Sequence, residues 1–178
     1  VKKILLVTFG LFGLSACESF TADRYRSSSQ NQMVLEKISS KKQYAVDDFL
    51  VENKESISVS CRLAGPIQVP GAGDHANYIQ EALEEELRLA GMYNKASSRK
   101  FSAEIKEIRV TTVAPASWDI AGDFYFNGGF VKSVKTSFPY KTSFSAMGAC
   151  NNAAENFPYA VEEFLEEFIE SAEFKKSL

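Results

Sequence analysis

Histidine occurs once in this chain, at His75, and cysteine three times, at Cys17, Cys61 and Cys150. A Ser–His–Asp arrangement or a histidine-based metal site needs partners set around the imidazole. Asp74 alone stands beside His75, at a helix start, so a solvent-facing first-turn residue is the expected role, and no metal or other cofactor is expected. Excess positive charge is also lacking: 20 Lys and Arg against 23 Asp and Glu give a formal net charge of −3. That balance leaves no electrostatic footprint for nucleic acid. The glycines of Gly71-Ala72-Gly73 precede a helix, but no Lys-Ser/Thr pair follows them, so they read as loop closure rather than as a phosphate cradle. The acidic run Glu84-Glu85-Glu86 and the pairs Glu162-Glu163 and Glu166-Glu167 read as wet helix faces. A glycosidase would need its carboxylates facing each other across a cleft. The sequence therefore points away from catalysis.

Long apolar runs are missing too. Ile4–Leu14 spans about 11 residues, whereas a membrane-spanning helix needs about 20. What stands there instead is ordered: Lys2-Lys3, the short apolar run, then Leu14-Ser15-Ala16-Cys17. This resembles a bacterial lipoprotein signal peptide with its lipobox, cleaved after residue 16. The resemblance implies a diacylglyceryl thioether on Cys17 and an amide-linked acyl chain such as palmitate. At about 0.8 kcal/mol per buried methylene, two or three chains anchor stably where one does not. Glu18 departs from the Asp that marks inner-membrane retention, so the expected place is the outer membrane, facing the periplasm.

Cleavage would remove Lys2 and Lys3, leaving 18 basic and 23 acidic residues, about −5 overall. The remainder suits one domain. Residues 17–55 read as the lipidated cysteine and a flexible tether, because Arg24–Gln32 is polar and low in complexity and the apolar stretches after it are weak. The compact domain is expected over 56–178. Ile57, Val59, Cys61 and Leu63 alternate as a half-buried strand. Asp74 caps a helix that runs to about Ala90, with Gly91 closing it. Three strands follow. The first changes phase near Lys106-Glu107, which predicts a bulge. Asn127-Gly128-Gly129 predicts a hairpin turn. Val134, Phe138, Tyr140 and Phe144 share the inward phase of the return strand, where Pro139 implies an edge. From Cys150 to Ala172 apolar residues recur at helical spacing, and Pro158 predicts a kink or a split. The expected fold is α+β: a two-layer sandwich of a mixed sheet of about four strands with two helices on one face.

Once Cys17 is set aside, Cys61 and Cys150 remain, an even pair in an oxidising compartment. Cys61 sits on the inward strand phase and Cys150 on the apolar stripe of the last helix, so both thiols point into one interface and a disulfide is expected. Two thiols without a nearby histidine make a poor metal site, and a nucleophilic cysteine would lack a base. On the hairpin, Asp119, Asp123 and Tyr125 fall on the face opposite Trp118, Ile120 and Phe124, and Phe130 lies just past the turn. Asp123, Tyr125 and Phe130 are the candidate interface, set against the plainer reading of ordinary half-buried hairpin residues.

From Cys61 to Phe174 the chain is similar to a group of small Gram-negative lipoproteins of unassigned function. The residues that carry this are Cys61-Arg62, Gly65-Pro66, Ala82–Tyr93, Trp118 and Ala149-Cys150-Asn151. The order helix, three strands, helix also resembles the anticodon-binding-like periplasmic module of envelope lipoproteins that bind other proteins. These are packing motifs, and they carry over no catalytic residue. The function they imply is a non-enzymatic, membrane-anchored lipoprotein presenting its domain to an envelope protein partner. The alternative is a binding module for a small ligand or cell-wall fragment, using the Gly65–Asp74 loop or the open sheet face.

Overall fold

The computed structural model describes residues 19–38, 42–71 and 73–178. Cys17 and the lipobox lie outside them. In chain order the elements are β1 (Phe20–Thr21), α1 (Ser29–Ile38), β2 (Ala45–Val51), β3 (Ile57–Ser58), β4 (Ser60–Cys61), β5 (Gly65–Gln68), α2 (His75–Leu89), β6 (Lys100–Thr111), β7 (Ala116–Phe126), β8 (Gly129–Tyr140), α3 (Ala146–Ile169) and α4 (Ala172–Ser177). The fold is α+β, as expected. Among the described residues it has two mixed sheets and four helices rather than one sheet of four strands with two helices.

The large sheet runs β2-β6-β7-β8, and β3 also pairs with β6. β6, β7 and β8 form an antiparallel meander, while β2 and β3 lie parallel to β6. The expected bulge falls between Ile105 and Glu107. It explains the phase change, since Phe101, Ala103 and Ile105 and then Ile108 and Val110 all face the helices. The turn at Asn127-Gly128 takes positive φ at both residues, as a tight hairpin requires. β8 is the sheet edge, where a proline is tolerated. Alternation along β7 buries Trp118, Ile120 and Phe124, and the Trp118 indole N–H donates to the Ala153 carbonyl of α3 at 2.8 Å. Phe124 stacks on Phe168 with ring centroids 3.8 Å apart.

Helix α2 starts where the sequence places it. The Asp74 carboxylate accepts from the amides of Ala76 and Asn77, and the Asn77 side chain accepts from the Asp74 amide. At its other end Gly91 takes φ +70° and the Met92 amide returns to the Leu87 carbonyl. Cys61 and Cys150 are fully buried and joined in a disulfide.

Five expectations need correction. The tether is the largest, because residues 19–38 and 42–55 belong to the body. β1 pairs in parallel with β5, making a second sheet ordered β1-β5-β4, and Phe20, Ala22 and Leu35 are buried. β2 forms a sheet edge whose alternation is broken by an irregularity between Val46 and Phe49, which is why its pattern looked weak. Leu63 does not continue an inward strand. Arg62 takes φ +52° and turns the chain, leaving Leu63 fully exposed. Phe144 likewise lies beyond the end of β8 and is exposed. α3 runs unbroken through Pro158, and the split comes at Ser171, whose hydroxyl caps α4. Finally, His75 is buried rather than solvent-facing.

Candidate functional site

Helices α2 and α3 cover one face of the large sheet, so the alternate residues of β6, β7 and β8 point the other way. On that open face a side-chain lattice runs across the strands. Lys106 pairs with Asp123 at 2.6 Å, Arg109 with Asp119 at 3.0 Å and with Glu107 at 3.1 Å, and Lys135 reaches Glu107 at 3.6 Å. The hydroxyls of Ser133 and Ser137 donate to Asp123 and Asp119. The Lys106 ammonium first, then the Ser133 hydroxyl, hold the Asp123 carboxyl below the usual carboxylate range. Partial burial pushes Asp119 up, but the Ser137 hydroxyl and the Arg109 guanidinium outweigh it and hold the group low. Both acids are thus already paired within the face, and most of their charge is spent on neighbours.

The hairpin end of this face differs. Tyr125 and Phe130 are register partners, with ring centroids 6.0 Å apart in an edge-to-face contact, and Phe130 is 61 % exposed. The structure therefore brings Tyr125 and Phe130 together as an aromatic tip. It places Asp123 one pleat back, 9 % exposed and held by Lys106 and Ser133. Asp123 is an organiser of the face rather than a contact group.

Two clefts lie beside α2. One, of roughly 480 Å³, is lined by Arg24, Tyr25, Pro70, Gly71 and Tyr78 together with Glu81, Glu84, Glu85 and Arg88. The other, of roughly 330 Å³, is lined by Val59, by Pro66, Ile67 and Gln68 of β5, and by Val69, Gly71, Gly73, Asp74 and His75. His75 itself packs edge-on against Phe157 at 5.1 Å, 6.5 Å from Trp118, and its Nε2 has no partner. Burial lowers its pKa to about 4, against weaker upward pulls from Asp74 and the Ile67 carbonyl. No group of three or more His, Cys, Asp or Glu residues able to hold a metal exists among the described residues. Nor is any described helix long and apolar enough to cross a membrane.

The buried imidazole makes the fold sensitive to pH. Its folded pKa lies below the unfolded value, so the unfolded chain takes up the proton first as pH falls. Stability is unaffected above about 6.5, declines through the window from 6.5 to 4, and is lower by about 3 kcal/mol beneath it. Urea midpoints measured across that window should fall for the native protein and fall less for His75→Phe. Parallel curves for the two would remove His75 as the cause.

One feature was invisible to sequence reasoning. Glu86 is fully buried in α2. Its carboxylate accepts from the Tyr25 hydroxyl at 2.6 Å, the Ser28 amide at 2.8 Å and the Asn31 side-chain amide at 3.2 Å. Ser27 and Gln32 donate to its other oxygen at 3.1 and 2.5 Å. Burial first, and Glu86 next, push the Tyr25 phenol far above its usual range. The polar stretch that reads as a linker is the donor set of this buried acid.

Comparison with solved structures gives the architecture a relative. The chain shares its fold with a DUF330 protein. That crystal structure, from Xanthomonas campestris, superposes with a TM-score of 0.60 at 9 % identity, over 89 % of this chain and 96 % of that one. A crystal structure of an uncharacterized protein aligns at a TM-score of 0.46 and 11 % identity, over 85 % of this chain and 99 % of that one. No family model and no curated protein matches the sequence. The likeness concerns the fold alone.

Proposed function

We propose that this chain is a non-enzymatic lipoprotein of the Gram-negative envelope, anchored through Cys17 in the outer membrane and facing the periplasm, which presents the hairpin end of its sheet to another envelope protein. The observation that carries the reading is the Tyr125–Phe130 tip: exposed aromatic area at the end of a face whose charges are already paired. Rigid aromatic anchors with little desolvation cost are what protein interfaces use for most of their energy. The lipobox supports the anchor. The resemblance in sequence order to the anticodon-binding-like periplasmic module supports the setting.

The test is complementation of a deletion strain, with palmitate labelling, membrane fractionation and crosslinking run together. Cys17→Ser is expected to lose label and membrane retention. Tyr125→Ala with Phe130→Ala is expected to stay labelled and folded but to lose its crosslinked partner and fail to complement. A Cys17→Ser protein that stays labelled would overturn the anchor, and full complementation by the aromatic pair would overturn the interface. Asp123 is a poor probe, since replacing it strands Lys106 and Ser133. The second reading, a module for a small ligand or cell-wall fragment, is favoured by the clefts that the loop before α2 lines.

A further inference from the structure

The end of the molecule opposite the aromatic tip carries its own exposed apolar cluster. Leu63 is fully exposed in the β4–β5 turn, Val113 is 65 % exposed between β6 and β7, and Phe144 is fully exposed before α3, with Met147 in the first turn of that helix. One side chain ties these loops together. The Arg62 guanidinium donates to the carbonyls of Thr112 at 2.9 Å, Ser143 at 3.0 Å and Phe144 at 3.1 Å. The Thr142 hydroxyl adds a bond to the same Thr112 carbonyl at 2.6 Å, and the Cys61–Cys150 disulfide lies one residue from Arg62. The four apolar side chains thus project from loops pinned at a common point.

The charge around them is distinctive. Residues 56–73, 108–118 and 124–154 contain no Asp or Glu, in a chain that has 23. Every loop of this pole comes from those stretches. The charged residues of the loops themselves are Arg62 and Lys141, both cationic. The carboxylates of α3 begin only at Glu155, beyond its first two turns, and accumulate from Glu162 onward. An acidic molecule therefore has one pole that is apolar and positive.

The chain also enters at this pole. β1 runs parallel to β5 with Phe20 opposite Ile67, so the backbone before Phe20 heads toward Gly65 and the Arg62-Leu63 turn. Cys17 precedes Ser19 by two residues, which span at most about 7 Å whatever their conformation. With residues 19–38 folded into the body, no long linker separates a lipid on Cys17 from the domain.

We infer that the Leu63–Val113–Phe144–Met147 pole is a membrane-contact surface, seated on the lipid leaflet that holds the Cys17 acyl chains. This rests on the lipid anchor proposed above. Apolar side chains enter the headgroup boundary while the exposed Lys141 meets anionic headgroups, adding surface contact to the covalent anchor. The anchor then orients the domain. β6, with 12 residues, extends roughly 40 Å from this pole, which holds the Tyr125–Phe130 tip away from the bilayer and toward the periplasm.

The test uses the full, lipidated chain reconstituted into vesicles of phosphatidylethanolamine and phosphatidylglycerol, with or without brominated acyl chains. Phe144→Trp and Leu63→Trp report on the pole, Phe130→Trp reports on the far end, and buried Trp118 is common to all. The expected result is at least about twofold stronger bromine quenching, with a blue-shifted emission, for the two pole tryptophans than for Phe130→Trp, as interfacial insertion requires. Equal quenching at both ends in a palmitate-labelled protein overturns the membrane contact while leaving the anchor standing. A blue shift without quenching means that protein covers the pole, and also overturns it. Failure of the wild-type chain to be lipidated overturns the anchor and this inference together.

Discussion

Replacing Glu86 with leucine is expected to release residues 20–38 from the body and to destabilise the protein by about 3–5 kcal/mol, because five donors lose their acceptor at once. Tyr25, Ser27, Ser28, Asn31 and Gln32 all converge on that one carboxylate, and Ser28, Asn31 and Glu86 are buried. Each donor stranded away from water costs about 1–3 kcal/mol, and those near the surface recover part of this by hydration. Trypsin gives the readout. Arg24 and Arg26 have exposed side chains on a segment held in place by its neighbours, so the native chain should resist cleavage there and Glu86→Leu should be cut rapidly. Glu86→Gln is the informative companion. Its amide keeps one acceptor oxygen, and the Ser27 hydroxyl and the Gln32 amide can turn to suit the new N–H group, so the loss should be near 1 kcal/mol. Unchanged trypsin resistance in Glu86→Leu would show that Phe20, Ala22 and Leu35 dock the segment by themselves.

The same network explains which part of the fold was legible in the sequence. Where a segment docks through a repeating apolar pattern, its place could be read. The phase of β7, the bulge in β6, the Asn127-Gly128 turn, the cap and closure of α2 and the apolar stripe of α3 all follow local rules of spacing and turn chemistry, and the two cysteines fell on faces that had to meet. Residues 24–32 dock through hydrogen bonds to a single buried acid some 60 residues away. A polar, serine-rich stretch looks the same in sequence whether its donors meet water or Glu86, and Glu86 sits in an acidic run that resembles any solvated helix face. Leu63 failed for another reason. The single strand expected over Ile57–Leu63 is two short strands, β3 in the large sheet and β4 in the small one, and after Cys61 the left-handed conformation of Arg62 reverses the chain. Arginine does not advertise that conformation as glycine or asparagine would. His75 failed because a first-turn helical residue can face either way, and only the positions of Trp118 and Phe157 decide it.

The candidate interface divides along the same line. Tyr125 and Phe130 were placed by strand phase and by the hairpin turn, both local signals, and the structure sets them ring against ring. Asp123 belonged to the same phase but not to the same role, since Lys106 reaches it across the strand pair only because of the bulge beside it. The apolar pole could not be read at all from spacing. Its members come from three loops far apart in sequence, joined by one guanidinium.

Removing the disulfide is expected to destabilise the domain strongly. Cys61 and Cys150 stand 89 residues apart, and the loop they close contains α2 and the whole β6-β7-β8 meander. In the chain-entropy view, closing a loop of that length restricts the unfolded chain by about 4 to 5 kcal/mol. Natural domains of this size have only about 5–15 kcal/mol in total. The bond also fixes a weak place in the architecture. β4 has two residues and belongs to the small sheet, so little ladder pairing holds Arg62 and its turn against α3. Cys61→Ala with Cys150→Ala should therefore lower the melting temperature by roughly 10 to 20 °C, with hydrogen exchange rising first in β4, β5 and the Arg62 turn. Alanine is the right replacement, because serine would bury a hydroxyl without a partner. Reduction of the native protein under mild denaturant should reproduce the shift. A double variant that melts within about 3 °C of the native protein, the effect of roughly 1 kcal/mol at this size, would mean that α3 packing alone positions the Arg62 turn and that the bond adds little to the fold.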